Sequence, residues 1–375
     1  MIQSCYFESP YGWIQLSEDG AGLTSCHFLS DGEEPVLEGP PSGRFLPQAV
    51  GELTQYFAGE RESFDIPLSF HGTEFQNAVW KAACEIPYAA TCTYQDIAAA
   101  VGNFRAAHAV GTAMSQCPLS FFVPCQRVRG KSSRSQGQDR RDQIVSQELK
   151  FALFRVLRKK GAALTGVADL TGLAPLPVGV SVAVPVPAEI VRSLQTAPTL
   201  DYYHSYYAMN GQLNDIVTKG AGFLTAHGFQ AYGITTDSVS LDRNRTSPLP
   251  HKTAATRAGL GWIGKSCLLV TKEFGSAVRL STLLTDAPLP PDTPIRKSFC
   301  GSCRRCVNAC PGHALKGALW SPCIPRSELL DWELCRKTQL HIMEQATGIH
   351  QDLCGKCFAV CPYTQKYIKK VPAIG

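Results

Sequence analysis

Sixteen cysteines occur in this 375-residue chain, and eight of them form two closely spaced sets. The first set reads C-x2-C-x2-C-x3-C-P, and the second reads C-x2-C-x3-C-P with one further cysteine upstream. Three cysteines at this spacing bind three corners of one iron–sulfur cube, while the cysteine before proline ligates a second cube. The pattern predicts two 4Fe-4S clusters, one on Cys300, Cys303, Cys306 and Cys361 and the other on Cys354, Cys357, Cys310 and Cys335. Two structural zinc sites are the alternative, because zinc also accepts four thiolates.

Two neighbouring clusters pass electrons one at a time, so this region needs an electron donor, such as a ferredoxin or a flavodoxin, and an acceptor. A glycine-containing segment just upstream, residues 251–266, is the candidate site for that acceptor. Glycines there allow a bulky ligand to approach the backbone closely. The residues predicted to bind a cofactor are Gly259, Gly261, Trp262, Gly264 and Lys265.

Another cysteine, Cys125, follows a proline at the end of the apolar run FFVP, as a nucleophile presented on a tight turn would. The next residue is Gln126, whose amide cannot take up a proton at neutral pH. A thiol with a pKa of about 8.5 is only about 3% thiolate near pH 7, so a nucleophile here lacks the base it needs. Cys125 is therefore a working nucleophile, a disabled one or a buried core cysteine.

The elements around Cys125 predict a small two-part unit. Residues 1–70 alternate short apolar runs with turn signals, and residues 49–57 are predicted to be helical. Residues 73–118 have helical spacing, with Gly102 as the stop signal of one short helix. A second short helix follows within a few residues, which predicts a helix-turn-helix; a plain helical hairpin is the alternative.

The second half of the chain alternates strand and helix patterns, which predicts an α/β domain with a central sheet. The predicted strands are 164–170, 178–187 and 229–234, and the predicted helix is 213–228. From residue 298 this pattern gives way to cysteine-rich turns. The stretch 131–149 is basic and is predicted to be a flexible linker, with a phosphate-contacting arm as the alternative.

The predicted fold class is multidomain α/β, in which a small α/β subdomain and a helix-turn-helix domain precede an α/β domain with a ferredoxin-like double-cluster module. The predicted segments are 1–70, 71–130, the linker 131–149, 150–297 and 298–375.

Composition narrows the class of protein only moderately. The net charge of +5 is compatible with a nucleic-acid partner and does not require one. The N-terminus lacks the pattern of a secretory signal, and the apolar run 178–187 is short and contains prolines. These features predict a cytoplasmic protein with no membrane partner, where disulfides are disfavoured and metal ligation or catalysis better explains the cysteines.

The C-terminal half, from about residue 150 to 365, resembles the epoxyqueuosine reductase family. The stretches RAGLGWIGKS, EFGSAVRLSTLLTDAPL and CGSCRRCVNACPGHAL carry the resemblance. It implies cobalamin beside the clusters, a modified base in tRNA as substrate, and Cys335 as the remaining cluster ligand. Where that family has an aspartate proposed as proton donor, this chain has His251, a residue that also donates protons.

The N-terminal half, roughly residues 1–130, resembles the methylated-DNA–protein-cysteine methyltransferases. The resemblance runs through YFAGERESFDIPL, GTEFQNAVWKAACEIPYAATCTYQDIAAAVGNFRAAHAVGTAM and PCQRV. It implies a helix-turn-helix in the minor groove and a guanine flipped into a pocket. By the resemblance Cys125 accepts the alkyl group, Tyr94 assists the leaving base, and RAAHAVG is the recognition helix. The residues expected to contact DNA are Tyr94, Arg105, His108 and Arg127.

This half also departs from the family pattern. Gln126 replaces the histidine that follows the reactive cysteine, His108 replaces an arginine, and Cys117 replaces an asparagine. No residue of the basic stretch after Cys125 is predicted to replace the family's downstream glutamate. Loss of acid–base assistance typically slows a reaction by about 10²–10⁴-fold, so the sequence predicts lost or strongly weakened alkyl transfer.

Three functions follow from these patterns. The first is an iron–sulfur oxidoreductase that acts on a nucleic-acid base, with catalytic candidates Cys125, Tyr94, Gln126 and His251. The second is a non-catalytic sensor of modified DNA with redox clusters. The third is a DNA-repair methyltransferase with an appended iron–sulfur domain.

Overall fold

The protein is described by a computed structural model that covers residues 2–10, 12–29, 35, 41–129, 140–194, 196–238 and 247–372. The chain divides into two compact units, Met1–Ala152 and Leu153–Gly375. Each unit combines a sheet with helices, so the predicted multidomain α/β class is confirmed. No described helix combines the length and the apolar character needed to cross a bilayer.

The first unit begins with a three-stranded antiparallel sheet in the order β1-β2-β3. Its elements are β1 Gln3–Ser9, β2 Gly12–Glu18, β3 Leu23–Phe28, α1 Leu46–Phe57, α2 Glu74–Cys84, β4 Cys92–Thr93, α3 Tyr94–Ala100, α4 Ala107–Ser115, a 3₁₀ helix Cys125–Arg127, β5 Val128–Arg129 and the first part of α5 Arg140–Lys159, which belongs to the second unit from Leu153 onward. The buried carboxylate of Glu18 accepts hydrogen bonds from the backbone N–H groups of Phe45 and Leu46 at 2.6 and 2.9 Å. This side chain therefore caps α1 and joins it to the sheet.

Two consecutive short helices, α3 and α4, form the predicted pair around a tight turn. The side chain of Thr93 accepts a hydrogen bond from the backbone of Asp96, and the Asp96 carboxylate accepts one in return, which fixes where α3 begins. Gly102 ends it with φ of +76°, a conformation that favours glycine. The short strand β4 pairs in parallel with β5, so the start of α3 is tied to the chain that follows Cys125.

The predicted linker 131–149 is wrong in its second half. Residues 131–139 lie outside the described part of the chain, but α5 is already helical at Arg140. Three apolar side chains of this helix are buried at helical spacing: Ile144, Val145 and Leu149. The stretch is therefore part of a packed helix, and the predicted amphipathic helix begins about nine residues earlier than expected.

The second unit contains a four-stranded antiparallel sheet in the order β6-β7-β11-β8. Its elements are β6 Leu164–Asp169, β7 Val178–Pro185, α6 Ala188–Ser193, α7 Leu200–Ala226, β8 Ala231–Ile234, a 3₁₀ helix Thr236–Ser238, α8 His251–Arg257, β9 Trp262–Ile263, β10 Leu269–Val270, β11 Val278–Thr285, α9 Arg305–Asn308, α10 Arg326–Leu329, α11 Trp332–Thr347, α12 Lys356–Ala359 and α13 Pro362–Lys370. The long helix α7 packs on β8 and β11. It begins thirteen residues before the predicted helix, because Thr199 caps it ahead of the aromatic run 202–207.

The cysteine-rich end of the chain packs on this sheet domain. Thr364 of α13 accepts a hydrogen bond from the backbone N–H of Ser276 at 2.9 Å. A Cβ at Gly275, whose φ is +61°, would lie 2.1 Å from the Thr364 nitrogen, so only glycine permits this approach. Arg192 of α6 donates to the carbonyl of Ile368 at 2.6 Å. The double-cluster region is thereby anchored to the strands that precede it.

Candidate functional site

The eight patterned cysteines are brought together in two groups. The first thiol group is Cys300, Cys303, Cys306 and Cys361. The thiol of Cys306 lies close enough to the other three to interact with them electrostatically. The neighbours of the Cys357 thiol include the other members of the second thiol group, which is Cys310, Cys335, Cys354 and Cys357. In each group, one thiol comes from the opposite motif. This is the exchanged arrangement that the spacing predicts.

The spacing of the sulfurs bears on which metal they suit. Thiolates that share one zinc each lie about 2.3 Å from it, so none is more than about 4.6 Å from another. Across the described residues, no three His, Cys, Asp or Glu side chains lie close enough to hold one metal ion. Cluster cysteines bind separate iron atoms at separate corners and stand further apart. Four thiols in each group, three of them from one closely spaced motif in the first, are a donor set that a 4Fe-4S cluster takes.

Local backbone features hold the thiol groups in place. Lys265 donates from Nζ to the carbonyl of Gly301 at 2.7 Å, inside the loop that carries the first group. Gly355, with φ of +79°, begins α12 directly after Cys354. Cys361 precedes Pro362, the first residue of α13, so its sulfur lies at a helix start.

Two of the glycines predicted to bind a cofactor pack closely against other parts of the backbone. A Cβ at Gly259 would lie 2.7 Å from the carbonyl oxygen of Thr293, and a Cβ at Gly261 would lie 2.2 Å from that of Val270. These glycines therefore serve close packing of the chain. Gly264 approaches the first thiol group instead, since its Cβ would lie 3.5 Å from the sulfur of Cys300.

The two side chains predicted beside these glycines are also packed inside the second unit. Trp262 is 1% exposed, and its ring meets those of Phe299 and Tyr363 edge to face. Lys265 is buried as well. Neither residue lines the large cavities of the second unit. None of the five residues predicted to bind a cofactor lines either cavity, although His251, Lys252 and Ser266 of the same segment line the first.

A cavity of about 600 Å³ lies beside the second thiol group. All four thiols of that group line it, and so does His251, the predicted proton donor at the start of α8. Nδ1 of His251 lies 3.0 Å from Oγ1 of Thr282. Burial, with a further contribution from Arg279, lowers the pKa of His251 to about 4. The imidazole is therefore neutral at pH 7.

The cavity has a cationic lining. Lys252, Arg279, Arg326 and Arg336 line it together with one carboxylate, Asp352. Nε of Arg279 is buried and has no hydrogen-bond partner among the described residues, while its guanidinium lies 4.0 Å from the centroid of Tyr206. Positive charge here offsets the negative charge of nearby thiolates and favours an anionic ligand.

The neighbourhood of Cys125 is a buried network centred on Glu148 of α5. Its carboxylate accepts hydrogen bonds from Arg127 Nε at 2.9 Å, from Gln126 Nε2 at 3.4 Å and from the Tyr56 hydroxyl. Burial and Glu148 together raise the pKa of Tyr56, so this phenol stays protonated. Burial alone would lower the pKa of Arg127, but Glu148 and Tyr56 hold it above its usual value.

Glu148 corrects the expectation that nothing replaces the family's downstream glutamate. The sequence did not reveal it because ten residues separate β5 from α5, so Glu148 lies far along the chain from Gln126. A signal was available: Glu148 is an acid among buried positions of an amphipathic helix, where a charge needs a partner.

Arg127 corrects a second expectation. It was expected to contact DNA, but it is 4% exposed and donates to Glu148 and, from Nη1, to the carbonyl of Ile86 at 3.0 Å. Its guanidinium is committed to the protein interior.

The other predicted DNA contacts lie at the surface of the helix pair. Arg105 precedes α4 and His108 is in its first turn, and both are exposed. Tyr94 is half-buried at the start of α3, with its ring 3.7 Å from the Cβ position of Gly111. Sequence reasoning missed Phe104, which is 70% exposed in the turn before α4. An exposed aromatic side chain between two helices is the signal that could have found it.

Residues 2–70 match the family model described as 6-O-methylguanine DNA methyltransferase, ribonuclease-like domain, and residues 74–156 match its DNA binding domain. A methylated-DNA–protein-cysteine methyltransferase of Methanosarcina barkeri is 41% identical over 132 residues, which cover 35% of this chain and 84% of the relative. Through this half the chain belongs to the methylated-DNA–protein-cysteine methyltransferase family. The first compact unit is a methyltransferase-family unit, and the predicted resemblance is confirmed.

Further relatives match this unit. The constitutive methyltransferase of Bacillus subtilis is 51% identical over 139 residues, 35% of this chain and 82% of that protein. Mycobacterium tuberculosis OGT, solved in complex with DNA, is 35% identical with a TM-score of 0.35, covering 40% of this chain and 93% of that one.

The second unit has its own matches. Residues 299–364 match the model of a 4Fe-4S double cluster binding domain, which confirms the predicted iron–sulfur character. An epoxyqueuosine reductase solved with a tRNA stem loop is 21% identical, with a TM-score of 0.39, over 59% of this chain and 66% of that one. Similarity at this level assigns no activity to the second unit.

Proposed function

We propose that the second unit is an iron–sulfur oxidoreductase and that the methyltransferase-family unit recognises modified nucleic-acid bases. The observation that supports the redox role is the cavity of about 600 Å³, lined by the whole second thiol group and by His251. Its volume falls within the range of about 300–1,000 Å³ typical of small-molecule sites. A cluster on those thiols would border the chamber, so electrons would reach a bound ligand over a short distance.

Cobalamin is the cofactor that the sequence resemblance implies, and this cavity, rather than the five predicted residues, would hold it. Its lining includes Arg279, whose Nε is buried and has no hydrogen-bond partner within the described part of the chain. When bound, cobalamin takes up electrons from a neighbouring cluster and uses them to reduce a substrate. His251, neutral at pH 7, would contact the ligand by a hydrogen bond from or to a ring nitrogen rather than act as an acid.

Double-stranded DNA is the proposed partner of the methyltransferase-family unit. Arg105 and His108 expose polar groups beside Phe104, and apolar wedges of this kind enter base steps in minor-groove complexes. A tRNA is the alternative nucleic-acid partner. A ferredoxin or flavodoxin would supply the electrons.

Anaerobic purification tests the redox role. We expect roughly eight iron atoms and eight sulfides per chain, and retention of added cobalamin through gel filtration. A variant with Arg279→Met should keep its iron and lose the corrin. Two results together would contradict an oxidoreductase and favour a sensor. The protein would hold full clusters without retaining corrin, and no added ligand would reoxidise the clusters after reduction with dithionite.

Alkyl transfer to Cys125 is the second candidate function, favoured by the intact Glu148 network around Gln126 and Arg127. Incubation with a methylated duplex should add one methyl mass to the tryptic peptide 106–127, which contains Cys125. Cys125→Ser is the matched control. An unchanged peptide mass under excess duplex would exclude this function.

A further inference from the structure

Cys125 is surrounded by other thiols that the family resemblance does not explain. The segment 118–123 packs along β3, where the N–H of Cys26 donates to the carbonyl of Pro118 at 2.6 Å and the N–H of Ser120 donates to the carbonyl of Cys26 at 3.0 Å. The sulfur of Cys84 lies 4.0 Å from the carbonyl oxygen of Phe122. Two separate stretches of chain therefore bring cysteines to the segment that ends at Cys125.

One of these thiols contacts Cys125 directly. Cys117 lies just after α4, and its side chain shares a hydrogen bond with that of Cys125. Cys26 is fully buried, and Cys84 is exposed. Cys117 is half-buried, and Cys125 is 8% exposed, so Cys117 is the more solvent-accessible member of the pair. Where the resembling family has asparagine, this chain thus places a second sulfur against the first.

We propose that Cys117 and Cys125 are a redox pair that closes reversibly to a disulfide, with hydrogen peroxide as oxidant and a dithiol as reductant. The Cys125 thiolate attacks one peroxide oxygen, which breaks the O–O bond and gives a sulfenic acid and hydroxide. The Cys117 sulfur then attacks the Cys125 sulfur and expels the hydroxyl group, which leaves as water with the Cys117 proton. Two thiols lose two electrons in all, and one peroxide becomes two waters.

The contact assigns the two sulfurs different roles. The hydrogen bond with Cys125, followed by burial, raises the pKa of Cys117, so Cys117 keeps its proton and donates it toward Cys125. A donated S–H stabilises a thiolate on its neighbour, as in dithiol motifs of oxidoreductases. Cys125 is thus the attacking sulfur and Cys117 the resolving one. The disulfide would block Cys125 as an acceptor and protect it from irreversible oxidation, whether or not it transfers alkyl groups.

Peptide mass spectrometry of the full, cluster-loaded chain tests the pair. Trypsin releases both cysteines in one peptide, 106–127, and chymotrypsin cuts between them at Phe121 or Phe122. The protein is treated with one equivalent of peroxide and a chelator, blocked with iodoacetamide and digested. We expect the tryptic peptide to carry no iodoacetamide label and to be lighter by two hydrogen masses. Its two halves should stay joined after chymotrypsin. After reduction with dithiothreitol, both cysteines should take up the label.

Matched variants separate the pair from its neighbours. Cys117→Asn restores the residue of the resembling family. Because each step beyond sulfenic acid consumes a further peroxide, both proteins are also treated with excess peroxide, and in this variant we then expect Cys125 to proceed to sulfinic and sulfonic acid that dithiothreitol does not reverse. Cys84→Ser should still form the disulfide. The proposal is overturned if the wild-type peptide keeps two labels, if Cys125 is joined to Cys26 or Cys84, or if Cys117→Asn behaves like the wild type.

Discussion

The two units hold their reactive cysteines in opposite ways. In the second unit, two short motifs and Cys335 supply all eight patterned thiols, and burial raises the pKa of both Cys306 and Cys335 to about 11, with neighbouring thiolates adding to the effect. In the first unit, Cys125 adjoins a network in which Glu148 is already matched by Arg127 and Tyr56. The thiol groups need metal to be satisfied, whereas the Glu148 network is satisfied by the protein itself.

The thiol groups of the second unit depend on a bound metal, whereas the Glu148 network of the first unit does not. A thiol group binds metal only when deprotonated, so metal binding and local folding are linked in the second unit. The methyltransferase-family unit has no such requirement among its described residues, because each donor around Glu148 has an acceptor. Removing a ligand should therefore cost the second unit a cofactor, and removing Glu148 should cost the first unit stability.

Loss of a cluster ligand is the largest expected effect. Cys361→Ser should remove roughly half of the bound iron by emptying the first thiol group, and Cys310→Ser should remove the other half by emptying the second. Iron analysis and electron paramagnetic resonance of the two variants would distinguish which cluster is lost. Cys323→Ser, at an exposed cysteine outside both groups, is the control. Identical residual spectra in both ligand variants would disprove the exchanged arrangement.

Gln126→His should restore the missing base beside Cys125. Glu148 already accepts from position 126, so a histidine there gains an ordering carboxylate, and methyl transfer should rise by about 10²–10⁴-fold. Single-turnover transfer from a methylated duplex measures the rate, with Gln126→Asn as the control. A rise of less than tenfold would mean that the thiol environment, rather than the missing base, limits the reaction.

Glu148→Ala should destabilise the first unit. It leaves the Arg127 guanidinium buried without its carboxylate, a change that costs about 3–5 kcal/mol in comparable pairs. Glu148→Gln keeps an acceptor oxygen and should lose less. The test is urea unfolding of the full chain in a variant that lacks the other tryptophans. The fluorescence of buried Trp80 then reports on the unfolding of the first unit. Equal midpoints for wild type and Glu148→Ala would show that the network contributes little.

The smallest effect concerns His251. Between pH 7 and pH 5, the neutral fraction of an ordinary histidine, with a pKa of about 6.5, falls about 25-fold. The neutral fraction of a histidine with a pKa of about 4 falls by only about a tenth over the same range. Lowering the pH should therefore leave the reaction of His251 with diethyl pyrocarbonate nearly unchanged. Peptide mass spectrometry measures the rate, with exposed His341 as the internal reference. A drop of more than tenfold at His251 would show that burial does not hold its pKa down.

Several features were predictable because they are local. The helix stop at Gly102, the strand at 178–187 and the cysteine spacing each depend on a few adjacent residues. The central sheet followed from the alternation of patterns, but its all-antiparallel order did not, because strand pairing depends on partners far apart in sequence. The helix Trp332–Thr347 escaped prediction because only Met343 is buried in it, so it has little apolar periodicity.

The sequence alone determined the metal chemistry of this protein, because ligand type and spacing constrain a thiol cluster within a short stretch of chain. It also determined the family of the first unit through the residues around Pro124 and Cys125. Only the tertiary structure decided the contacts of Glu148, Arg127 and Cys117, because long-range packing sets which buried charge or sulfur meets which partner. It also showed that Gly259 and Gly261 pack against other backbone segments. The sequence could not show this, because a glycine permits close approach of either the chain or a ligand.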